Sequence, residues 1–425
     1  MPIEKWYSIS TQILVGDAKS SHIHYLSLLK QSVLIHLRSD VPVGSCLSGG
    51  LDSSAIVSLI HQNREQYAFN QEQQTFSATS TQKQWDETEY IHEVLKGKDI
   101  NAHYVTPDVS GLFDAIERLI WYQDEPFGST SIYAQWLVFQ SAHEKNIKVL
   151  LDGQGADEVI GGYHYFHDIN IANLILQGNV RELISEIIAI HKKHSRGYGD
   201  ILRSSLYYIL CNTNIGKQFL IHFEKERLAP KWLNLEMLKA QISFPLEVPK
   251  SHNSMNLFNR YIFHQTFFTS LPALLHYEDR NSMAHSLESR VPYLDHRFVE
   301  YVINLPESCK IRKGITKYIM RKALNSILPD KVRCRMDKMG FETPEEFWVC
   351  NENSEEFKKQ LERAIIKSKG IITSEALSLF EEITSGNKKY DGVIWRIIIF
   401  GIWMDLFHVG IDDSKINQLE SVTYY

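Results

Sequence analysis

The chain has 425 residues, 44% of them hydrophobic and 23% charged, which excludes disordered, fibrous and low-complexity classes and leaves room for roughly two to three domains. Forty-five Lys and Arg against 51 Asp and Glu give a net charge of -6, so neither a nucleic acid nor an anionic membrane is the expected partner. The five cysteines form no C-x-x-C pair and the first ten residues lack an apolar signal core, so a cytoplasmic protein is expected.

Residues 1–20 show no period and read as a lead-in arm. Leu26, Leu29, Val33 and Leu37 then recur at helical spacing. Val41 to Leu47 reads as a short buried strand, Ser48-Gly-Gly50 as a turn, and Asp52 to Ile60 as a helix. Thr75–Ser80, His103–Thr106 and Val149–Leu151 are further strand candidates, separated by the helix-patterned stretches Glu87–Lys96 and Ser131–Glu144. This alternation predicts an α/β fold with a doubly wound parallel sheet over about residues 25–165. A helical insertion is expected over about 166–262, with polar turns at 177–179, 195–197 and 245–253, and a helical C-terminal part over about 263–410 that includes Lys317–Leu328, Ser354–Lys367 and Ile394–Phe407. The most apolar stretch, Val393 to Phe407, is broken by Arg396 and Asp405 and reads as a buried core helix, too short to span a membrane.

The strongest chemical signal is Leu47-Ser-Gly-Gly-Leu-Asp-Ser-Ser54, set between strand and helix. Its glycines let backbone N–H groups approach a ligand, and Ser48, Ser53 and Ser54 add hydroxyls beside the positive end of the helix dipole. That pattern makes a phosphate cradle, though not a Walker A loop, because no lysine follows the glycines. A second turn, Leu151-Asp-Gly-Gln-Gly-Ala-Asp-Glu158, follows the strand Val149–Leu151 and would open onto the crevice where open α/β sheets bind ligands. Asp52 and Asp157 would then face each other across phosphates, a hard-oxygen pair suited to Mg²⁺. Without the first motif, Asp157 and Glu158 are better explained as helix N-terminal caps.

In order along the chain, SGGLDSS, LDGQGADEVIGGY, LPALLHYEDRNSMAHSLESRVPYLDHRFVEYV, TKYIMRKAL and RMDKMGFETPEEFW resemble the synthetase domain of glutamine-dependent asparagine synthetases, a branch of the PP-loop ATP pyrophosphatases. The likeness runs from about residue 22 to 407. It implies an enzyme that uses ATP to adenylate a carboxylate and lets ammonia displace AMP. On this resemblance Ser48, Gly49, Gly50, Asp52, Ser53 and Ser54 would hold pyrophosphate, and Leu47, Ala78, Asp152 and Gly153 would line the adenosine pocket. Asp52 and Asp157 would be Mg²⁺ ligands. Lys338 would offset charge on the α- and β-phosphates, with Lys317 as a second candidate.

Two departures stand out. The family's N-terminal glutaminase domain is not seen before this domain, since the chain begins Met1-Pro2 and its first cysteine is Cys46, so ammonia or a separate glutaminase partner is the expected nitrogen source. Gln154 stands where asparagine synthetases carry an acid and β-lactam synthetases a tyrosine, and an amide cannot act as a base. The leading expectation is an amide-forming ligase with aspartate and ammonia as default substrates. The alternatives are an adenylating amidotransferase or cyclase acting on another small carboxylate, in polysaccharide or natural-product assembly, and a non-catalytic nucleotide-binding subunit.

Overall fold

The computed structural model describes residues 9, 20–63, 72–223, 230–238, 255–336 and 343–410. Five strands, β1 (Val43–Cys46), β2 (Gln73–Ala78), β3 (Ile100–Val105), β4 (Val149–Leu151) and β5 (Glu288–Arg290), form one sheet in the order β3-β2-β1-β4-β5. Every neighbouring pair is parallel. The chain winds outward from β1 to β2 and β3, then crosses back to place β4 on the other side of β1. That reversal puts a crevice between the carboxyl ends of β1 and β4, where doubly wound sheets bind their ligands.

Strand alternation explains why helices cover both faces. Val149 and Leu151 point into a core shared with α1 (Ser21–His36) and α2 (Leu51–Asn63). Leu150, between them, packs with Phe76 against Val138 and Phe139 of the helix α5 (Ser131–Glu144). Two more helices, α3 (Thr88–Leu95) and α4 (Val109–Gln123), complete the crossovers. The expected strands and the helices at Leu26–Leu37, Asp52–Ile60, Glu87–Lys96 and Ser131–Glu144 are all present, with ends displaced by a few residues.

Past the short helix α6 (Ala156–Ile160), the helices α7 (Phe166–Gln177), α8 (Val180–His194), α9 (Tyr198–Cys211) and α10 (Asn214–Phe223) follow one another. Gly178, at φ +67°, and Ser195, at φ +53°, form two of the intervening turns. The expected turn at 245–253 lies outside the described residues. In the C-terminal part, Ser354–Lys367 packs along Val393–Leu406 in a second core around Trp395, so the most apolar stretch is a buried helix. Among the described residues, no helix is long and apolar enough to cross a membrane.

One element corrects the expectation that this part is wholly helical. β5 has the sequence Glu-Ser-Arg and carries no apolar alternation, because it is a three-residue edge strand with Glu288 exposed. Its backbone is what the fold uses. Glu288 N–H donates to Lys148 O and Asp152 N–H to Arg290 O, both at 2.9 Å, so β5 covers the open edge of β4. The helix expected over Lys317–Leu328 is also shorter, Tyr318–Ala323, followed by tight turns before Pro329.

Candidate active site

Two turns meet at the carboxyl ends of β1 and β4. Gly49 has φ +75°, and a Cβ there would lie 2.9 Å from Tyr90 Cβ, so this position demands glycine on conformation and on space. The turn is ordered by its own serines: Ser48 N–H donates to Ser53 Oγ at 3.1 Å, and the two hydroxyls are 3.0 Å apart. At Gly153 a Cβ would sit 3.0 Å from Ser53 N and 3.1 Å from Asp52 Cβ. The second turn therefore lies directly on the start of α2, which brings the two aspartates into one site.

Lys317 joins them. Its Nζ donates to Asp52 Oδ1 and Oδ2 at 2.6 and 2.5 Å and lies 2.8 Å from Asp157 Oδ1. Lys317 is only 3% exposed. Burial works against its charge, but the Asp157 and Asp52 carboxylates outweigh that cost and hold its pKa above the ordinary lysine value. Its backbone has φ +52°, set by the loop that precedes it. That loop is held from the insertion, where the buried Glu186 of α8 accepts the backbone N–H groups of Lys313 and Gly314. Glu158, next to Asp157, has a different part: it is buried and accepts hydroxyl hydrogens from Tyr163 and Ser270.

A cavity of about 280 Å³ opens above these groups. Leu47, Ser48, Gly50, Asp52, Ser53, Asp152, Gly153, Gln154, Asp157 and Lys317 all line it. Ala78 instead faces an adjoining hollow with Thr79 and Trp85, which shares Ser48 and Glu87 with the main cavity. Gly49 packs on α3, and Ser54 is fully buried. Lys338 lies outside the described residues. Two cations not singled out in the sequence also reach the cavity wall, Arg321 and Arg335, the latter paired with Glu87 and 3.9 Å over the Tyr90 ring. Both sit in motifs whose lysines drew attention first, within TKYIMRKAL and RMDKMGF.

The cavity floor is acidic. Burial raises the Asp152 carboxyl to about 6, opposed by the Gly153 N–H it accepts and reinforced by the Asp52 charge. Behind it stands Glu278 of the helix Ser270–Ala284. Burial, and then the charge of Asp152, lifts its pKa well above the usual carboxylate range, while Ser289 donates a hydrogen bond to it. Its Oε2 has no hydrogen-bond partner among the described residues. Burial likewise raises the thiol of Cys46, which stays protonated at neutral pH. Glu278 was readable only as part of the Tyr-Glu-Asp-Arg run, since burial and proximity to Asp152 are products of folding.

The family model for asparagine synthase matches residues 24–405, nearly the whole described chain. The chain belongs to the asparagine synthase family. Among similar proteins, asparagine synthetase [glutamine-hydrolyzing] 1 of Bacillus subtilis is 28% identical over 386 residues, covering 88% of this chain and 57% of that protein. A putative asparagine synthetase of Mycobacterium tuberculosis is 27% identical over 408 residues, covering 94% of this chain and 59% of its own length. The amidase chry2 of Gibberella zeae is 23% identical over 409 residues, covering 87% and 59%. This asparagine synthase family chain thus spans less than two thirds of the length of these relatives, and its matched region contains both glycine turns, Lys317 and the acidic floor.

Proposed function

We propose that this chain is an ATP-dependent, AMP-forming carbon–nitrogen ligase that adenylates a carboxylate and transfers ammonia to it, with aspartate as the default acid. The observation that carries this reading is the convergence of Asp52, Asp157 and Lys317 on one point at the β1/β4 switch, beside an ordered Ser-Gly-Gly turn. Polyphosphate binding needs backbone donors and countercharge more than a strong nucleophile. Leu47, Ser48, Gly50, Ser53, Asp152 and Gly153 would frame the nucleotide, with Gly49 and Ser54 shaping the turn from behind and Ala78 lining the adjoining hollow. Arg321 and Arg335 add positive charge at the cavity wall, and Lys338 would add to it.

Two carboxylates whose oxygens converge on a cation fit Mg²⁺ in chemical type, and their partial exposure leaves room for water ligands. When bound, Mg²⁺ would supply charge neutralisation on phosphate oxygens. The substrate carboxylate oxygen attacks the α-phosphorus while the bond to the bridging oxygen breaks, releasing pyrophosphate. The amine nitrogen then attacks the acyl carbon and the bond to AMP breaks. Gln154 cannot take the proton lost by the amine, whereas Asp152, a carboxylate on the cavity wall that ionises near pH 6, can accept it.

Gln154 at the cavity wall also favours a second reading within the same chemistry, an amidotransferase or cyclase acting on a different carboxylate. Pyrophosphate release should be followed with ATP, Mg²⁺ and a panel of carboxylates, with and without ammonium. Turnover with aspartate and ammonium supports the asparagine-forming reading, and turnover with another acid alone supports the second. No release with any acid, while ATP still binds, would leave a non-catalytic nucleotide-binding subunit.

A further inference from the structure

Three histidines gather beside the cavity, and two of them, His164 and His194, are on its wall. His164 and His167 follow the glycine turn that closes α6, and His194 is the last residue of α8. One ring nitrogen from each lies within 4.8 Å of the other two. His167 is 2% exposed, and its Nδ1 has no hydrogen-bond partner among the described residues. A buried nitrogen left in that state is costly unless something accepts or uses its lone pair. His194 Nε2 is 2.9 Å from Gly314 O. A carbonyl only accepts, so Nε2 carries the hydrogen and Nδ1 keeps the lone pair, the tautomer-fixing contact that metal-binding histidines commonly have.

We propose that His164, His167 and His194 form a Zn²⁺ site, separate from the oxygen pair Asp52 and Asp157. Three imidazoles suit zinc, and the fourth position would face the cavity that His164 and His194 line. Around zinc the ligand nitrogens stand about 3.3 Å apart, so the trio must draw in. The nearby cations are already engaged: Arg196 pairs with Asp168 at 2.8 Å, and Lys193 donates to Lys313 O at 2.8 Å. Bound zinc would fasten the turn after Asp157 to α8, whose Glu186 holds the loop leading to Lys317.

The test uses the full chain stripped of metal and titrated with Zn²⁺ against a chromophoric chelator, and with Co²⁺ for its visible spectrum. One Zn²⁺ per chain is expected, with the intense bands of four-coordinate Co²⁺. His167→Ala and His194→Ala should weaken Zn²⁺ binding by at least about 100-fold, beyond what loss of an outer partner costs. The exposed His164→Ala should do so in a chain whose melting temperature is unchanged. His191→Ala, whose ring instead faces Arg196 O and Tyr198, should bind zinc as the parent does. Absence of stoichiometric Zn²⁺ binding, or undiminished affinity in folded His164→Ala, would overturn the proposal whatever the enzyme's substrate.

Discussion

Lys317 Nζ sits between the two oxygens of the Asp52 carboxylate, at 2.6 and 2.5 Å, although the residues are 265 positions apart in the chain. The same ammonium meets Asp157, so two glycine turns and a distant loop share one charged centre. Removing a single member therefore leaves like charges facing each other, or an ammonium short of a partner, in a largely buried place.

Lys317→Ala is expected to destabilise the chain by about 2–4 kcal/mol, since the Asp52 and Asp157 carboxylates are left unpaired. Added Mg²⁺ should recover more of the melting temperature in this variant than in the parent, because a divalent ion replaces the lost charge. Thermal melts with and without Mg²⁺ check this; equal Mg²⁺ responses in the two proteins would contradict it.

Asp52→Asn and Asp157→Asn should each abolish pyrophosphate release while the far-ultraviolet circular dichroism stays that of the parent. Both side chains are at the cavity wall, and the isosteric amide keeps the volume but not the charge. Turnover within a few-fold of the parent in either variant would remove that residue from the phosphate and metal site.

The pH dependence turns on Asp152. Because the fold raises its pKa from 3.8 to about 6, the protonated form is the one folding favours, and its contribution to stability is full below pH 3.8 and lost as pH rises through about 6. Asp152→Asn, neutral throughout, should gain stability relative to the parent across that window. If Asp152 accepts the amine proton, kcat of the parent should climb through about pH 6 and the variant should lose that limb. Melting curves and rate profiles from pH 4 to 8 measure both; a parent and variant with parallel profiles would rule the assignment out.

Glu186 acts through the Lys317 loop and not on substrate. Glu186→Ala should leave the N–H groups of Lys313 and Gly314 without their acceptor and lower kcat by about 10-fold or more, with a smaller change in KM for ATP. Glu186→Gln keeps one acceptor oxygen and should restore part of the rate. A melting-point loss with no change in kcat would make Glu186 a structural contact only.

Glu345 ties the segment after residues 337–342 to the start of α5: it accepts Thr130 N–H at 2.8 Å, the Thr130 hydroxyl at 2.9 Å and the Tyr390 hydroxyl at 2.5 Å. Burial raises its pKa despite those donors. Glu345→Ala takes the acceptor from Thr130 N–H and the Tyr390 hydroxyl, leaving the Thr130 hydroxyl with Thr343, and should cost about 2–3 kcal/mol in urea unfolding. A midpoint equal to the parent's would show that water replaces the carboxylate at no cost.

The chain's own residues carried the local half of this molecule. Alternating strand and helix patterns, and Ser-Gly-Gly followed by Asp52, were legible because backbone preference, glycine conformation and side-chain period act over a few neighbours. Val149–Leu151 was readable for the same reason, a short apolar run before a glycine turn. β5 was not, because Glu288–Arg290 is recruited by the unpaired backbone edge of β4, and backbone hydrogen bonding leaves no mark on side-chain type. Lys317 was visible as a lysine in a motif, but its place between Asp52 and Asp157 is set by tertiary packing, which also brings Glu186 of the insertion onto the loop before it. The raised carboxyls of Asp152 and Glu278 belong to the same class: a carboxylate's pKa follows from desolvation and nearby charge, and both come into being only when residues more than a hundred positions apart are packed against one another.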